Sequence, residues 1–113
     1  MTGSEGNLTD LSLYVLLAVG QGSSHGYAIG KDIEARSGGR LDPSTGALYQ
    51  VLRRLAVEGL VKPVAAPRGE TDERRKYFAL TAAGRRAVAA EVRRLESVVA
   101  LARERRLYPA GVA

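Results

Sequence analysis

The chain has 113 residues, of which 45% are hydrophobic and 26% charged, with a net charge of +5 and a pI near 10.0. This length allows one domain with a modest core. The absence of cysteine excludes disulfides, thiolate metal sites and cysteine nucleophiles, and a single histidine argues against a histidine-rich metal site. Residues 43–81 and 82–113 carry net charges of +3 and +4 while residues 1–42 carry −2, which favours a polyanionic partner, although basic surfaces also serve solubility.

The N-terminal part predicts a tail and one helix. Residues 1–7 are small and polar, and we expect a disordered tail. The first helix is predicted from about Thr9, a plausible cap, to about Val19, and it is apolar on nearly all sides. A partner subunit is a natural cover for such a helix in so small a domain. Its apolar run is too short to span a bilayer, so we expect a cytoplasmic protein with no membrane partner.

Two further helices follow. One is predicted from about Ser24 or His25 to Ser37, with two isoleucines one turn apart as its core pair. The next is predicted over residues 43–58, with Asp42 as N-cap and Gly59 in the left-handed position after its end. Two short helices joined by a glycine-containing turn are typical of a helix-turn-helix, in which the second helix recognises DNA.

The two faces of the helix over 43–58 differ in character. Gly46, Gln50 and Arg53 lie nearly opposite its apolar face, and no acidic residue occurs between Asp42 and Glu58. A helix that is anchored on one side and free of negative charge on the other suits the DNA major groove. The apolar face consists of residues spaced i, i+3, i+4 and i+7, namely Leu48, Val51, Leu52 and Leu55.

The remaining chain predicts a hairpin and a long helix. Residues 60–64 and 76–80 are β-prone runs around a polar loop, and Pro63 indicates an exposed edge strand. Thr81 can cap a last helix over residues 82–107. The predicted fold class is therefore mainly α with a small β-hairpin wing: a winged helix-turn-helix over 8–81, a dimerisation helix over 82–107 and a tail over 108–113.

The last helix is longer than a domain of this size needs for its own core. A stripe of apolar residues along it has the 4, 3, 4, 3 spacing of a heptad seam. We interpret the helix as a dimerisation element, the alternative being a helix that lies along its own domain. The seam consists of Val88, Val92, Leu95, Val99 and Ala102.

A set of short motifs follows one another along the chain in a fixed order: His25-Gly26-Tyr27, Ile29, Ile33, Gly46, Leu48-Tyr49, Leu52, Arg54-Leu55, Gly59-Leu60-Val61, Arg75-Lys76-Tyr77, Leu80-Thr81 and Gly84-Arg85. In this order and spacing they resemble the PadR family of bacterial winged-helix transcriptional regulators, in its short form with a single C-terminal helix. Gln50 departs from the family pattern, which generally has proline there, and Ala56 stands where a glutamate is usual. An amide at position 50 can bind an adenine edge or a phosphate, so the DNA site is not to be assumed from relatives.

Five residues of the third helix are candidate DNA contacts in addition to the outward Arg53. Ser44 and Thr45 lie in its first turn, where free N–H groups favour phosphate, although both could serve only the cap. Gly46 would let the backbone approach DNA closely. The resemblance implies that Tyr49 contacts DNA, the alternative being a flanking core aromatic. Gln50 and Arg53 point outward, and could otherwise be ordinary solvated side chains.

Further candidates lie outside this helix. Arg74, Arg75 and Lys76 of the wing are expected at the minor groove or backbone, although a solvated, charge-balanced loop is the alternative. His25 is expected at the start of the second helix, near phosphate or in a capping role. Lys31 is a further candidate for a backbone contact. Arg54 lies further round the third helix, and pairing with an acid is as good an expectation for it as contact with phosphate.

The resemblance also implies an effector. A small apolar or aromatic ligand is expected where the first helix meets the last one, and its binding would alter the spacing of the two recognition helices. The candidate wall consists of Leu11, Tyr14, Val15 and Val99, for which core packing is the alternative.

The sequence thus predicts a homodimeric, sequence-specific DNA-binding transcriptional regulator, a repressor by resemblance, whose inverted-repeat operator has half-sites about 34–36 Å apart. No nucleophile, metal or phosphate-loop pattern is present, so we expect neither an enzyme nor a cofactor. The competing hypothesis is a winged-helix module for protein–protein interaction whose basic charge serves solubility.

Overall fold

The computed structural model of the protein describes residues 8–109, so the tail predicted for residues 1–7, and residues 110–113, lie outside the described part. The four helices are α1 (Asp10–Val19), α2 (Gly26–Arg36), α3 (Thr45–Val57) and α4 (Ala82–Glu104). The three strands are β1 (Ser24–His25), β2 (Val61–Val64) and β3 (Tyr77–Leu80), in an antiparallel sheet of order β1–β3–β2. This arrangement confirms the predicted winged helix.

The core lies where α1, α2 and α3 meet the sheet. Val15, Leu16, Ile29, Ile33 and Leu52 have no exposed surface, which confirms the predicted core pair of the second helix. Leu48, Val51 and Leu55 are also buried, so the whole apolar face predicted for α3 packs inward.

The start of α3 differs from the prediction. Its N-cap is Ser44 rather than Asp42, because the Ser44 hydroxyl accepts the Ala47 N–H over 3.1 Å. The helix begins at Thr45, so Pro43 precedes the cap instead of opening the helix. Serine and aspartate are equally good caps, and the favourable placement of proline pointed to the wrong one.

The end of α3 confirms the prediction for Gly59. This residue has φ +78°, and its N–H donates to Ala56 O over 3.0 Å. The next N–H, of Leu60, donates to Leu55 O over 2.9 Å, which completes a Schellman motif. The helix stops at Val57, one residue before the predicted end, and the chain leaves it directly into β2.

The wing consists of β2, β3 and the loop 65–76 between them. Val61 pairs with Leu80 and Val64 with Tyr77, and Pro63 lies on the edge strand as predicted. The sequence did not predict β1, whose two residues pair with β3 on the other side. A two-residue strand has no hydrophobic alternation by which it could be recognised.

The last helix is capped by Thr81, whose hydroxyl accepts the Gly84 N–H over 2.9 Å. Gly84 packs against the backbone carbonyl of Leu60, where a Cβ would collide. The helix ends at Glu104 instead of Leu107, and Arg106 adopts φ +60° just beyond it. Tyr108, assigned to the tail, folds back so that the Arg103 guanidinium lies 4.4 Å from its ring centroid. Among the described residues no helix is long and apolar enough to cross a membrane.

Candidate nucleic-acid interface

A cleft of about 430 Å³ lies between α2, the N-terminus of α3 and the wing. Five of the ten predicted DNA-contacting residues border it, although they come from three separate segments of the chain. These five are His25, Thr45, Tyr49, Arg74 and Arg75.

The N-terminus of α3 forms one wall of this cleft. Ser44 and Thr45 are exposed there, Ser44 as the cap and Thr45 as the first helical residue. The first N–H groups of a helix have no acceptor within the helix, and the helix dipole makes this end positive. The wall is therefore suited to an anionic oxygen.

The outward face of α3 continues from this wall. Gly46, Gln50 and Arg53 are all exposed, as the helical spacing predicted. A Cβ built on Gly46 would have no atom within 4 Å, so nothing in the protein itself requires glycine there. Along the helix this face offers an accessible backbone at Gly46, then the amide of Gln50 and then the guanidinium of Arg53.

Tyr49 packs as the flanking core aromatic that the sequence offered as its alternative role, and its contact with DNA stays a prediction. Its ring is partly buried and packs against the core, while its side chain also lines the cleft. A Cβ on Gly26 would lie 2.7 Å from the Tyr49 hydroxyl oxygen, so a larger residue at the start of α2 would force this ring to move. The ring of Tyr49 thus lies directly against the first residue of α2.

The α2 wall contains one residue that the sequence analysis did not single out as a contact. Tyr27 is 67% exposed, and the Lys31 ammonium lies 5.7 Å from its ring centroid. Lys31 is also held by Glu34, at 3.9 Å. The helical position of Tyr27, opposite the buried Ile29, was the available signal.

His25 has the capping role foreseen as one of its two alternatives. Its Nδ1 accepts the Ala28 N–H over 3.4 Å, and its ring packs edge-on against Tyr77, with centroids 5.1 Å apart. The residue therefore connects the start of α2 to the wing.

The wing loop is organised around Glu70, whose side chain is only 8% exposed. Its carboxylate accepts the Tyr77 hydroxyl, the Asp72 N–H (2.9 Å) and a guanidinium N–H of Arg75 (3.3 Å). These donors, the Tyr77 hydroxyl above all, lower the pKa of Glu70 to about 2. The same hydrogen bond raises the pKa of Tyr77.

The wing cations differ in their partners. Arg74 donates from Nε and Nη2 to the two Asp72 oxygens, at 3.2 and 3.4 Å, and lowers the pKa of Asp72. Arg75 pairs with both Glu70 and Asp72. Lys76 is exposed and forms no salt bridge with any residue between 8 and 109. The wing thus has the charge-balanced character that the sequence left open as an alternative.

Among residues 8–109, Arg54 bonds neither to an acidic side chain nor to a residue of the cleft. Its Nη2 donates to the hydroxyl of Ser12, a buried residue of α1, over 2.9 Å. No sequence signal joins these positions, which lie 42 residues apart.

The predicted dimerisation stripe lies along α4 with a graded exposure. Val88 packs partly against the core, whereas Val92, Leu95 and Val99 are each 38% exposed. Ala102 is half-buried. Val98 and Leu101, which are outside the predicted seam, are exposed as well.

The predicted effector wall is not gathered into either of the two concavities that we describe within residues 8–109. Val15 is fully buried in the core, and Leu11 and Tyr14 pack against that core. Val99 is exposed on α4. The second concavity, beside α4, is bordered instead by Leu8, Glu58, Leu60, Ala83, Arg86, Ala87 and Ala90.

Solved structures of regulators have the same fold. A PadR family transcription regulator from Clostridium difficile superposes with a TM-score of 0.71 at 19% identity, covering 85% of this chain and 97% of that one. RosR of H. salinarum is 29% identical with a TM-score of 0.67, over 82% of this chain and 78% of that one. Bacillus subtilis PadR in complex with operator DNA gives a TM-score of 0.61 at 22% identity, over 72% and 45% of the two chains.

Sequence comparisons extend this likeness. An uncharacterized 37.1 kDa protein in transposon TN4556 of Streptomyces fradiae is 45% identical over 76 residues, which are 67% of this chain. The match spans only 20% of the length of that protein. The profile of the transcriptional regulator PadR-like family matches residues 15–90, from α1 into the first half of α4. The chain therefore belongs to the transcriptional regulator PadR-like family.

Proposed function

We propose that this protein is a sequence-specific DNA-binding repressor that acts as a homodimer on an inverted-repeat operator. The observation that carries the proposal is the cleft in which the N-terminus of α3, the start of α2 and the wing meet. The positive end of α3 borders it, and the outward side chains of the same helix are exposed beside it. A major groove would accept α3, with the wing against the neighbouring backbone.

Within this interface the residues would make different kinds of contact with DNA. Gln50 and Arg53 would contact base edges, since an amide suits adenine and a guanidinium suits guanine. Ser44, Thr45 and Lys76 would contact phosphates, which positions the protein without selecting a sequence. Gly46 would allow the backbone of α3 to approach the groove closely.

The exposed stripe on α4 supports the homodimer. An α-helix of 23 residues is about 34 Å long, and apolar side chains along most of its second half lie unprotected in the single chain. A second copy of the same helix would cover this stripe, and the resulting two-fold axis would place two α3 helices on one face of the DNA. Half-sites would then lie about one helical turn apart, near 34–36 Å.

A small apolar or aromatic effector would act at the junction of α1 and α4. Leu11 and Tyr14 on α1 are only partly buried, and Val99 is available on α4. The Arg54–Ser12 hydrogen bond connects α1 to α3, so a shift of α1 would reach the recognition helix. Such an effector releases DNA only if it binds the two arrangements with different affinity.

The proposal is tested by a fluorescence-polarisation titration against DNA from upstream of this protein's own gene, with scrambled DNA as control. Specific binding should be about a thousandfold tighter than to scrambled DNA and should be lost in Arg53→Ala. If upstream DNA gives no preference, a random-sequence selection decides whether an operator exists elsewhere.

The internal pairing of Arg74 and Arg75 favours the other candidate, a protein-interaction module. Such a module predicts weak binding to every DNA sequence, with no effect of Arg53→Ala beyond the loss of one charge.

A further inference from the structure

The wing arginines are already held by a carboxylate of the same loop. Arg74 places Nε 3.2 Å from Oδ1 of Asp72 and Nη2 3.4 Å from Oδ2, and Arg75 places Nε 3.9 Å from Oδ2. This two-pronged geometry is the one by which a guanidinium binds a phosphate. A DNA phosphate that bound Arg74 in this way would use the Nε–Nη2 edge that Asp72 occupies.

We infer that Asp72 sets the DNA affinity of the wing by competing with backbone phosphate for Arg74. The inference rests on the proposed DNA-binding function, and it identifies Asp72 as a residue that weakens DNA binding. In the free protein the Asp72 carboxylate pairs with Arg74, and in the complex a phosphate takes its place.

The exposure of the partners permits this exchange. The Arg74 side chain is 91% exposed and that of Asp72 is 32% exposed, so solvent screens their attraction. The side chains of Asp72, Arg74 and Arg75 border the cleft beside the N-terminus of α3, where the DNA backbone would pass. A phosphate can thus displace Asp72 without opening the core.

Glu70 does not share this role. Its side chain is only 8% exposed and accepts hydrogen bonds from the Tyr77 hydroxyl, the Asp72 backbone N–H and a guanidinium N–H of Arg75. Glu70 therefore holds the shape of the loop and fixes Arg75, whereas Asp72 is the partner of Arg74. Of the acidic residues of the wing, Glu70 thus positions the loop and Asp72 competes with DNA.

Asp72→Asn tests the inference cleanly. The Asp72 Oδ1 also accepts the Arg74 backbone N–H over 2.9 Å, and an asparagine oxygen preserves that turn while the charge is removed. Glu73→Gln is the matched control, because it removes one negative charge from the next residue, which is exposed and forms no salt bridge within residues 8–109.

The measurement is fluorescence polarisation with a random-sequence duplex at several salt concentrations, because wing contacts to phosphate do not depend on sequence. Asp72→Asn is expected to bind about two- to fivefold more tightly than wild type, with the log–log salt slope steeper by about 0.9. The gain in DNA affinity of Glu73→Gln is expected to be less than half that of Asp72→Asn. Arg74→Gln should weaken DNA binding more when it is made in the Asp72→Asn protein than when it is made in wild type.

Equal gains in Asp72→Asn and Glu73→Gln, or weaker binding by Asp72→Asn, would overturn the inference. An amide NMR spectrum of Asp72→Asn that keeps the wild-type wing signals shows that the loop has not collapsed. A third outcome separates the two claims. If wild type showed no sequence preference while Asp72→Asn still bound random DNA more tightly, the proposed function would be overturned and the role of Asp72 would stand.

Discussion

Arg54 of α3 donates a hydrogen bond from Nη2 to the hydroxyl of Ser12 on α1, over 2.9 Å. Ser12 is 2% exposed and also receives the Thr9 hydroxyl at 3.0 Å. Both Arg54 and the preceding Arg53 are exposed residues, but only Arg54 has a hydrogen bond to another side chain within residues 8–109. Of these two adjacent arginines of α3, Arg54 holds the helix against α1, and the proposed function assigns Arg53 to DNA.

This separation predicts opposite outcomes for two matched substitutions. Arg54→Met should lower the free energy of unfolding by about 1–2 kcal/mol, since it removes a charged donor from a buried hydroxyl. Arg53→Met should stay within about 0.5 kcal/mol of wild type, yet it should weaken operator binding. Urea unfolding and DNA titration of both proteins check this, and equal stability losses would contradict it.

The contact between Gly26 and Tyr49 predicts a second contrast. Gly26→Ala places a methyl group 2.7 Å from the Tyr49 hydroxyl oxygen, and the ring must move. We expect a loss of about 1–3 kcal/mol in the free energy of unfolding, together with weaker DNA binding. Thermal and urea unfolding measure the loss.

Gly46→Ala is the control for that substitution. Its Cβ would meet no atom within 4 Å, and alanine favours the helix, so stability should be unchanged or higher by at most about 1 kcal/mol. DNA binding should nevertheless weaken, because the methyl group occupies the outward face. A destabilised Gly46→Ala, or an unaffected Gly26→Ala, would contradict the packing described for α2 and α3.

The lowered pKa of Glu70 predicts a pH dependence. A carboxyl group whose pKa falls from 4.5 unfolded to about 2 folded stabilises the protein above the unfolded value. That contribution should be lost as pH falls from about 4.5 to about 2. Glu70→Gln should therefore be less stable than wild type at neutral pH, and the difference should shrink in acid. Melting temperatures from pH 2 to 7 measure it, and a difference that is independent of pH would refute the assignment.

The stripe on α4 predicts the effect of a charge placed in it. Leu95→Glu should remain folded, because Leu95 is already partly exposed in the single chain, but it should sediment as a monomer. Operator affinity should then fall by about 100-fold or more, since two half-sites no longer bind together. Ser97→Glu, which adds the same charge to the opposite side of the helix, should remain a dimer. A dimeric Leu95→Glu would exclude this seam.

The sequence predicted α3 well because several signals agree there. Leu48, Val51, Leu52 and Leu55 gave the buried face by their spacing, and Gly59 gave the end. Its start was misplaced because two capping residues, Asp42 and Ser44, flank one proline. Local chemistry determines that a helix begins in this segment, and tertiary packing decides at which residue.

Features that depend on distant contacts were not predictable. The strand β1 exists because β3 lies beside it, and the Arg54–Ser12 bond joins two helices whose positions only the fold brings together. The charge-balanced wing was one of two alternatives left open by the sequence, because the pairing of Arg74 and Arg75 with Asp72 and Glu70 depends on the shape of the loop. The number of charged residues can be read from the sequence, but which of them form ion pairs with each other cannot.

The most direct test of the central claim is a selection of bound duplexes from a random-sequence pool, followed by alignment of the enriched sequences. A homodimeric regulator that places α3 in successive major grooves predicts an inverted repeat whose half-sites are about 10–10.5 base pairs apart, centre to centre. Arg53→Ala should alter the enriched bases at symmetric positions. A pool that shows no enrichment, or that yields a single half-site without two-fold symmetry, would contradict the account.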